Sequence, residues 1–152
     1  MIYTGETKKA IKLIFEKHNG QFDKSGLPYV HHPLHVAEQM DDENTTVAAL
    51  LHDVVEDTDT SFEELEDMGF SDEVISALRL LTHDPNENYF DYVKGVGKNE
   101  IARKVKIKDL EHNMDLSRLD QITSEDLARV NKYKESYDYL SNVHIYDNHY
   151  QK

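Results

Sequence analysis

The sequence predicts an all-α fold of about six to eight helices around one core, on three observations. Apolar residues recur at helical spacing almost throughout. Helix start and stop residues bracket those runs. No pair of alternating segments joined by a tight turn suggests a hairpin.

Thr4 can cap a first helix running to about His18, with Ala10, Ile11, Ile14 and Phe15 on one face. NGQFDKSGLPYVHHP is a loop by its Gly, Asp, Ser and Pro content, and Pro33 can open the short helix HPLHVAEQM in its first turn. Residues 44–57 form a helix that is apolar nearly all round from Val47 to Leu51, as a central buried helix should be. Thr60 with Glu63 is a capping box for a helix over 61–68, ended by Gly69. Ser71 caps the next, which carries Val74, Ile75, Leu78 and Leu81. HDPNEN is a loop before a short helix from Tyr89 to Val96, whose end Gly95 and Gly97 weaken and whose Tyr89, Phe90, Tyr92 and Val93 read as core. Residues 99–118 carry Ile101, Val105, Ile107, Leu110, Met114 and Leu116 at helical spacing. Ser124, with Glu125 and Asp126 in the first turn, starts a last helix to about Leu140. Residues 141–152 read as a polar, aromatic tail, ordered or loosely ordered alike by its sequence, and a second metal site at His144, Asp147 and His149 is disfavoured.

Composition narrows the function classes. With 152 residues the chain can build one domain with a proper core. Lys plus Arg number 17 against 30 Asp plus Glu, a net charge of −13, which argues against nucleic-acid binding and against docking on anionic lipid. A small anionic ligand would therefore need a local cation, either a metal or a few placed Lys and Arg. There is no Cys, so no disulfide framework and no thiolate ligand or nucleophile. No segment approaches the roughly 18 uninterrupted apolar residues of a membrane span, and the N-terminus lacks an apolar signal core. The expectation is a soluble, cytoplasmic domain whose partner is a small molecule.

The stretch AALLHDVVEDT places His52, Asp53, Glu56 and Asp57 directly after the apolar run. Positions three and four apart share a helix face, so Asp53 stacks with Glu56 and Asp57, and His52 with Glu56. Three such acids repel one another, and at a helix C-terminus they also oppose the dipole. A bound divalent cation answers both objections; a solvated helix end with a satisfied core histidine is the alternative, and these eleven residues leave both open. Two further stretches could supply ligands: YVHHPLHVA, with His31, His32 and His35, and KVKIKDLEHNMDLSRL, with Asp109 on the core side of an otherwise apolar and basic helix.

The order His32, His52–Asp53, Asp109 resembles the HD superfamily of metal-dependent phosphohydrolases. The resemblance is closer to the hydrolase domain of RelA/SpoT-type alarmone enzymes and to the stand-alone small alarmone hydrolases. It rests on DKSGLPYVHHPLHVA, AALLHDVVEDTDTSFEELEDMGF and KVKIKDLEHNMDLSRL, which together span residues 23 to about 119.

That resemblance implies a single HD-domain helical bundle over residues 1–152. It implies that His32, His52, Asp53 and Asp109 ligate one divalent metal, usually manganese, and that Glu56 and Asp57 activate or orient the attacking water. It implies that Lys24 and Asn113 contact the nucleotide substrate. The activity implied is 3′-pyrophosphohydrolysis of guanosine 3′,5′-bis(diphosphate), (p)ppGpp; the length leaves no room for the synthetase domain of the long enzymes. An imidazole and carboxylate shell without sulfur suits manganese and leaves positions for water and substrate.

The chain departs from the family where HNMRTL becomes HNMDLSRL, putting Asp115 in place of a cation and Leu116 in place of a hydroxyl, with Arg118, Lys106 and Lys108 as the available compensation. After LLTHD the usual lysine is missing, and His83 and Asp84 stand there. These changes keep a second reading alive, hydrolysis of another (deoxy)nucleotide, beside a third, a non-catalytic nucleotide sensor. His31 and His35 read as packing and helix-end residues, His112 as core or helix surface, and Tyr29 equally as packing or as a substrate contact. The acid runs at 41–43 and 63–67 read as solvated faces.

Overall fold

The computed structural model describes residues 1–150, with side chains through Val143. The expected all-α architecture is present, with no β-strand among the described residues beyond one isolated antiparallel bridge between Phe22 and Pro28. The helices are α1 (Gly5–Lys17), α2 (His31–Glu38), α3 (Glu43–Leu51), α4 (Val54–Asp57), α5 (Phe62–Asp67), α6 (Asp72–Leu81), α7 (Tyr89–Gly97), α8 (Glu100–Met114) and α9 (Ser124–Tyr150), with a 3-10 turn at Leu116–Arg118. The disfavoured second metal site at His144, Asp147 and His149 lies outside the described side chains, and the helical backbone of α9 passes the expected end at Leu140.

Helix α3 is the axle of the fold. Every residue from Thr45 to Leu51 is buried, and α1, α2, α6 and α8 pack around it. Asp42 caps it, accepting from the Thr45 N–H at 2.8 Å, so one residue of the 41–43 acid run terminates a helix as well as facing water. Outside this axle, α9 lies along α7 and α8. Gly97, read from sequence as weakening a helix end, lets α9 side chains pack against α7: a Cβ there would sit 3.3 Å from Val143 Cγ2.

The helix expected over 44–57 is two helices. The His52 Nδ1–H donates to the Ala49 carbonyl at 2.6 Å, the acceptor that an unbroken helix would give to the Asp53 N–H. Asp53 then adopts φ −106°, ψ 0° and becomes the N-cap of a new single turn, α4. Acids at Glu56 and Asp57 therefore do not end a long helix, and the dipole objection falls away.

Other boundaries shift for local reasons. Thr4 does cap α1, with Thr7 closing the box, but Leu13 rather than Phe15 joins Ala10 and Ile14 in the core, leaving Phe15 51% exposed. Ser61, not Thr60, caps α5; Thr60 is buried, its N–H and hydroxyl both turned to the Thr58 hydroxyl. Thr123 rather than Ser124 caps α9, accepting from the Asp126 N–H at 3.2 Å while Asp126 accepts from the Thr123 N–H at 2.8 Å. Helix α8 stops at Met114 because Asp115 leaves helical backbone (ψ 103°) and caps the 3-10 turn.

Leu50 is fully buried in α3. Leu50→Ala should lower the unfolding free energy by about 2–5 kcal/mol, the usual cost of a core cavity, measured by urea denaturation followed by circular dichroism.

Candidate metal and substrate site

Two helices and the break in the axle bring the HD residues together. His32 comes from the first turn of α2, His52 and Asp53 from the α3–α4 break, and Asp109 from the core side of α8. His32, His52 and Asp109 are all buried, and each offers a ligand atom within 4.8 Å of the others. That separation suits a shared ion, because ligand bonds of about 2.0–2.2 Å place neighbouring donors about 3–4 Å apart.

The donor orientations favour a cation. His52 Nδ1 is engaged by Ala49, so Nε2 faces the carboxylates, 3.0 Å from Asp53 Oδ2 and 3.4 Å from Asp109 Oδ1, yet it makes no hydrogen bond. A buried polar nitrogen without a partner is costly, and a metal ion resolves it. The His32 Nε2–H donates to Asp109 Oδ1 at 2.8 Å. Asp109 is further held by Lys106 Nζ, 2.9 Å from Oδ2, and by Asn113 Nδ2, 3.0 Å from Oδ1. The Tyr29 hydroxyl donates to Asp53 Oδ2 at 2.5 Å and to Asp57 Oδ2 at 3.3 Å. Asp53 also forms a second cluster of carboxylates with Glu56 and Asp57, their oxygens within 4.8 Å of one another.

Protonation follows the same demand for positive charge. Burial alone would raise the Asp109 carboxyl, but Lys106, His32 and His52 hold it well below the usual range. Burial likewise opposes ionisation of Asp53, and the His52 ring overrides it, bringing its pKa to about 2. Burial would depress His52, yet Asp53 and Asp109 raise it well above an ordinary histidine. Glu56 and Asp57 are pushed up, first by burial and then by the Asp53 charge. Burial also lifts the Tyr29 phenol far above its ordinary value, so it remains a donor.

These residues floor a cavity of about 450 Å³, a size usual for a small-molecule site. Lys24, Lys106, Arg118 and Arg129 line it, a local concentration of cations in a chain of net charge −13. Phe22, Tyr89, Tyr92 and Tyr133 supply aromatic wall. Glu56 accepts from the His83 N–H at 3.1 Å, which fixes the carboxylate at the cavity edge.

A family model described as an HD domain matches residues 10–104. The chain belongs to the HD-domain family. Its relatives are of the RelA/SpoT type. Over 66 residues it is 46% identical to a guanosine-3′,5′-bis(diphosphate) 3′-pyrophosphohydrolase of Aquifex aeolicus, covering 41% of this chain and 10% of that protein. It is 35% identical over 141 residues to a GTP pyrophosphokinase of Myxococcus xanthus, covering 81% and 18% respectively. A Danio rerio enzyme named guanosine-3′,5′-bis(diphosphate) 3′-pyrophosphohydrolase MESH1 is 46% identical over 66 residues, 38% of this chain and 37% of that one. The chain thus spans well under half the length of the curated relatives it matches. A solved structure described as a metazoan ortholog of SpoT that hydrolyzes ppGpp superposes with a TM-score of 0.76 at 27% identity, over 92% of this chain and 88% of that chain.

All eight site residues expected from the sequence of this HD domain line the cavity. One of them, Asn113, has a partner the sequence did not suggest, since it holds Asp109; Asp115, outside that set, is occupied in capping, accepting from the Ser117 N–H at 2.9 Å and from its hydroxyl. Tyr29 is neither plain packing nor a free substrate contact, since its hydroxyl ties Asp53 to Asp57. His31 and His35 pack, as expected, against His112, with ring centroids at 5.9 and 4.0 Å. His112, read as core or surface, is buried and hydrogen-bonded to His32, Nδ1 to Nδ1, at 2.7 Å. Burial and the neighbouring His32 and Arg118 charges bring its pKa to about 3, so the ring is neutral. The clue was its spacing, three residues after Asp109 on the same side of α8. Arg129 and Tyr133, one turn apart on α9, were missed because nothing local sets them apart from an ordinary helix surface.

His52 predicts a pH dependence. A histidine raised in the folded state contributes stability that is complete below its unfolded pKa of about 6.5 and is lost as pH rises through the folded value. Chelator-treated protein should therefore melt at lower temperature as pH increases above about 6.5, and a divalent cation should reverse the loss, as thermal unfolding across pH would record.

Proposed function

We propose that this chain is a manganese-dependent phosphohydrolase that removes the 3′-pyrophosphate from (p)ppGpp, leaving GDP or GTP. The observation that carries the reading is the convergence of the buried His32, His52 and Asp109 beneath a cavity lined by four cationic side chains. The names of the RelA/SpoT-type relatives support the substrate. In this reading residues 1–152 act as one HD domain in the cytoplasm, on a small-molecule nucleotide. No helix among the described residues is long and apolar enough to cross a membrane.

His32, His52, Asp53 and Asp109 would hold the ion, with Lys106 and Asn113 fixing Asp109 and Tyr29 fixing Asp53. When bound, the ion supplies Lewis-acid polarisation of a phosphoryl oxygen and makes a water more acidic. Glu56 and Asp57, one turn beyond the ligands and raised above ordinary carboxyls by burial and the Asp53 charge, handle protons: one accepts from the attacking water, and the other donates to the departing 3′-oxygen. Lys24, Arg118 and Arg129 neutralise the diphosphates, and the tyrosine faces with Asn113 receive the nucleoside.

Asp115 favours a second reading, hydrolysis of a different nucleotide. Its carboxylate stands on the cavity wall where the alarmone enzymes carry a cation, and the Ser117 bonds keep it ionised.

With manganese, the protein should release pyrophosphate from (p)ppGpp, and His52→Ala or Asp53→Ala should reduce release to background. Full turnover in the presence of a strong chelator refutes the mechanism. Orthophosphate release across a nucleotide panel, with none of the pyrophosphate, transfers the assignment to the second reading. Glu56→Gln and Asp57→Asn should each lower kcat by about 10²–10⁴-fold while metal uptake, followed by calorimetry, is retained.

A further inference from the structure

Both histidines at the ion site have their remote ring nitrogen engaged, but by different groups. His52 Nδ1 donates to a backbone carbonyl, a common device for fixing which nitrogen carries the proton. His32 Nδ1 meets no carbonyl and no carboxylate; it meets the Nδ1 of another histidine, His112, at 2.7 Å, and both rings are buried. Two facing imidazole nitrogens bond only if one carries a proton and the other does not.

The proton balance then decides the arrangement. Without an ion, His32 Nε2–H donates to Asp109 Oδ1. An ion at that position needs the Nε2 lone pair, so the proton of a neutral His32 must reside on Nδ1. His112 Nδ1 must then accept, and the His112 proton must reside on its Nε2. The His112 ring is set for this. The His32 and His112 planes lie within 5° of each other, His35 stacks on His112 at 4.0 Å, and an Arg118 guanidinium N–H donates to the His112 carbonyl at 3.3 Å.

We propose that His112 is a positioning residue for the ion site: its Nδ1 accepts the Nδ1–H of His32 and so selects the His32 tautomer whose Nε2 lone pair faces the ion. His31 and His35 contribute by packing that holds the His112 plane, a role that accounts for four histidines in one cluster when one of them faces the ion site. The proposal rests on the metal reading above and adds to it a residue with no contact to the ion or the substrate.

Manganese titration of metal-stripped protein by calorimetry tests it, with variants that separate acceptor from bulk. His112→Leu removes the acceptor and should weaken manganese binding by about 10–100-fold, the usual effect of losing a group that orients a ligand. His112→Asn places a carbonyl oxygen near the Nδ1 position and should bind close to the parent. Parent-level affinity in His112→Leu, or equal losses in His112→Leu and His112→Asn, overturns the proposal. Asp109→Asn is the control: if it too binds manganese like the parent, the metal reading fails and takes this proposal with it. Should His112→Leu not fold, ¹⁵N-histidine NMR of the zinc-loaded parent gives the answer, with His32 protonated on Nδ1 and His112 on Nε2. A His112 proton on Nδ1 overturns the assignment.

Discussion

A buried carboxylate is among the most expensive things a fold can contain unless it is compensated, and Asp109 is buried. Around it the chain arranges Lys106 Nζ, Asn113 Nδ2 and the His32 ring, all within 3.0 Å, with His52 Nε2 slightly farther away. These partners come from α2, the α3–α4 break and α8, so the electrostatic demand of one side chain joins three helices at a single point. The same demand creates the site: an arrangement that satisfies a buried anion with imidazoles and a lysine is an arrangement ready to take a cation.

The break after α3 is the local event on which this depends. Had the helix continued, Asp53 would have followed His52 around the axle. Instead the His52 ring takes the Ala49 carbonyl, which both closes α3 and leaves Nε2 facing the carboxylates. Helix ends ordinarily leave carbonyls without partners, and here the residue that repairs the end is itself part of the candidate ion site. Asp53 stands just before α4 as its N-cap, and the single turn that follows carries Glu56 and Asp57 to the cavity edge, where the Tyr29 hydroxyl bonds to Asp57 and the His83 N–H to Glu56.

Charge is distributed in the same spirit. A chain of net charge −13 repels a phosphorylated ligand at long range, and screening confines the attraction it can offer to a few ångströms. Lys24, Lys106, Arg118 and Arg129 provide that attraction inside the cavity. Arg118 also bonds to Asp23 at 3.3 Å, tying the loop before α2 to the 3-10 turn after α8, so the cavity wall is braced by one of its own cations.

Much of this was legible in the sequence alone. Helical period and caps at Thr4 and Ser71 locate helices from local backbone chemistry, which is encoded within a few residues. The all-apolar run of Val47 to Leu51 marks the axle, and the charged residues after it mark a place that needs a counter-charge. What lay beyond reach are pairings between residues far apart in the chain. His112 and His32 are separated by 80 positions, Tyr29 and Asp53 by 24, and no local pattern distinguishes a histidine that bonds to another from one that fills a core. The position of the break within residues 44–57 was hidden for a related reason, because it is a side chain competing for a backbone carbonyl, and periodicity is blind to that competition. The sequence by itself determined which residue types a cation would require and that the fold would be helical; only the tertiary structure decided which imidazole nitrogen faces the carboxylates, because that choice is made by hydrogen bonds whose partners arrive with other helices or with the far side of the same turn.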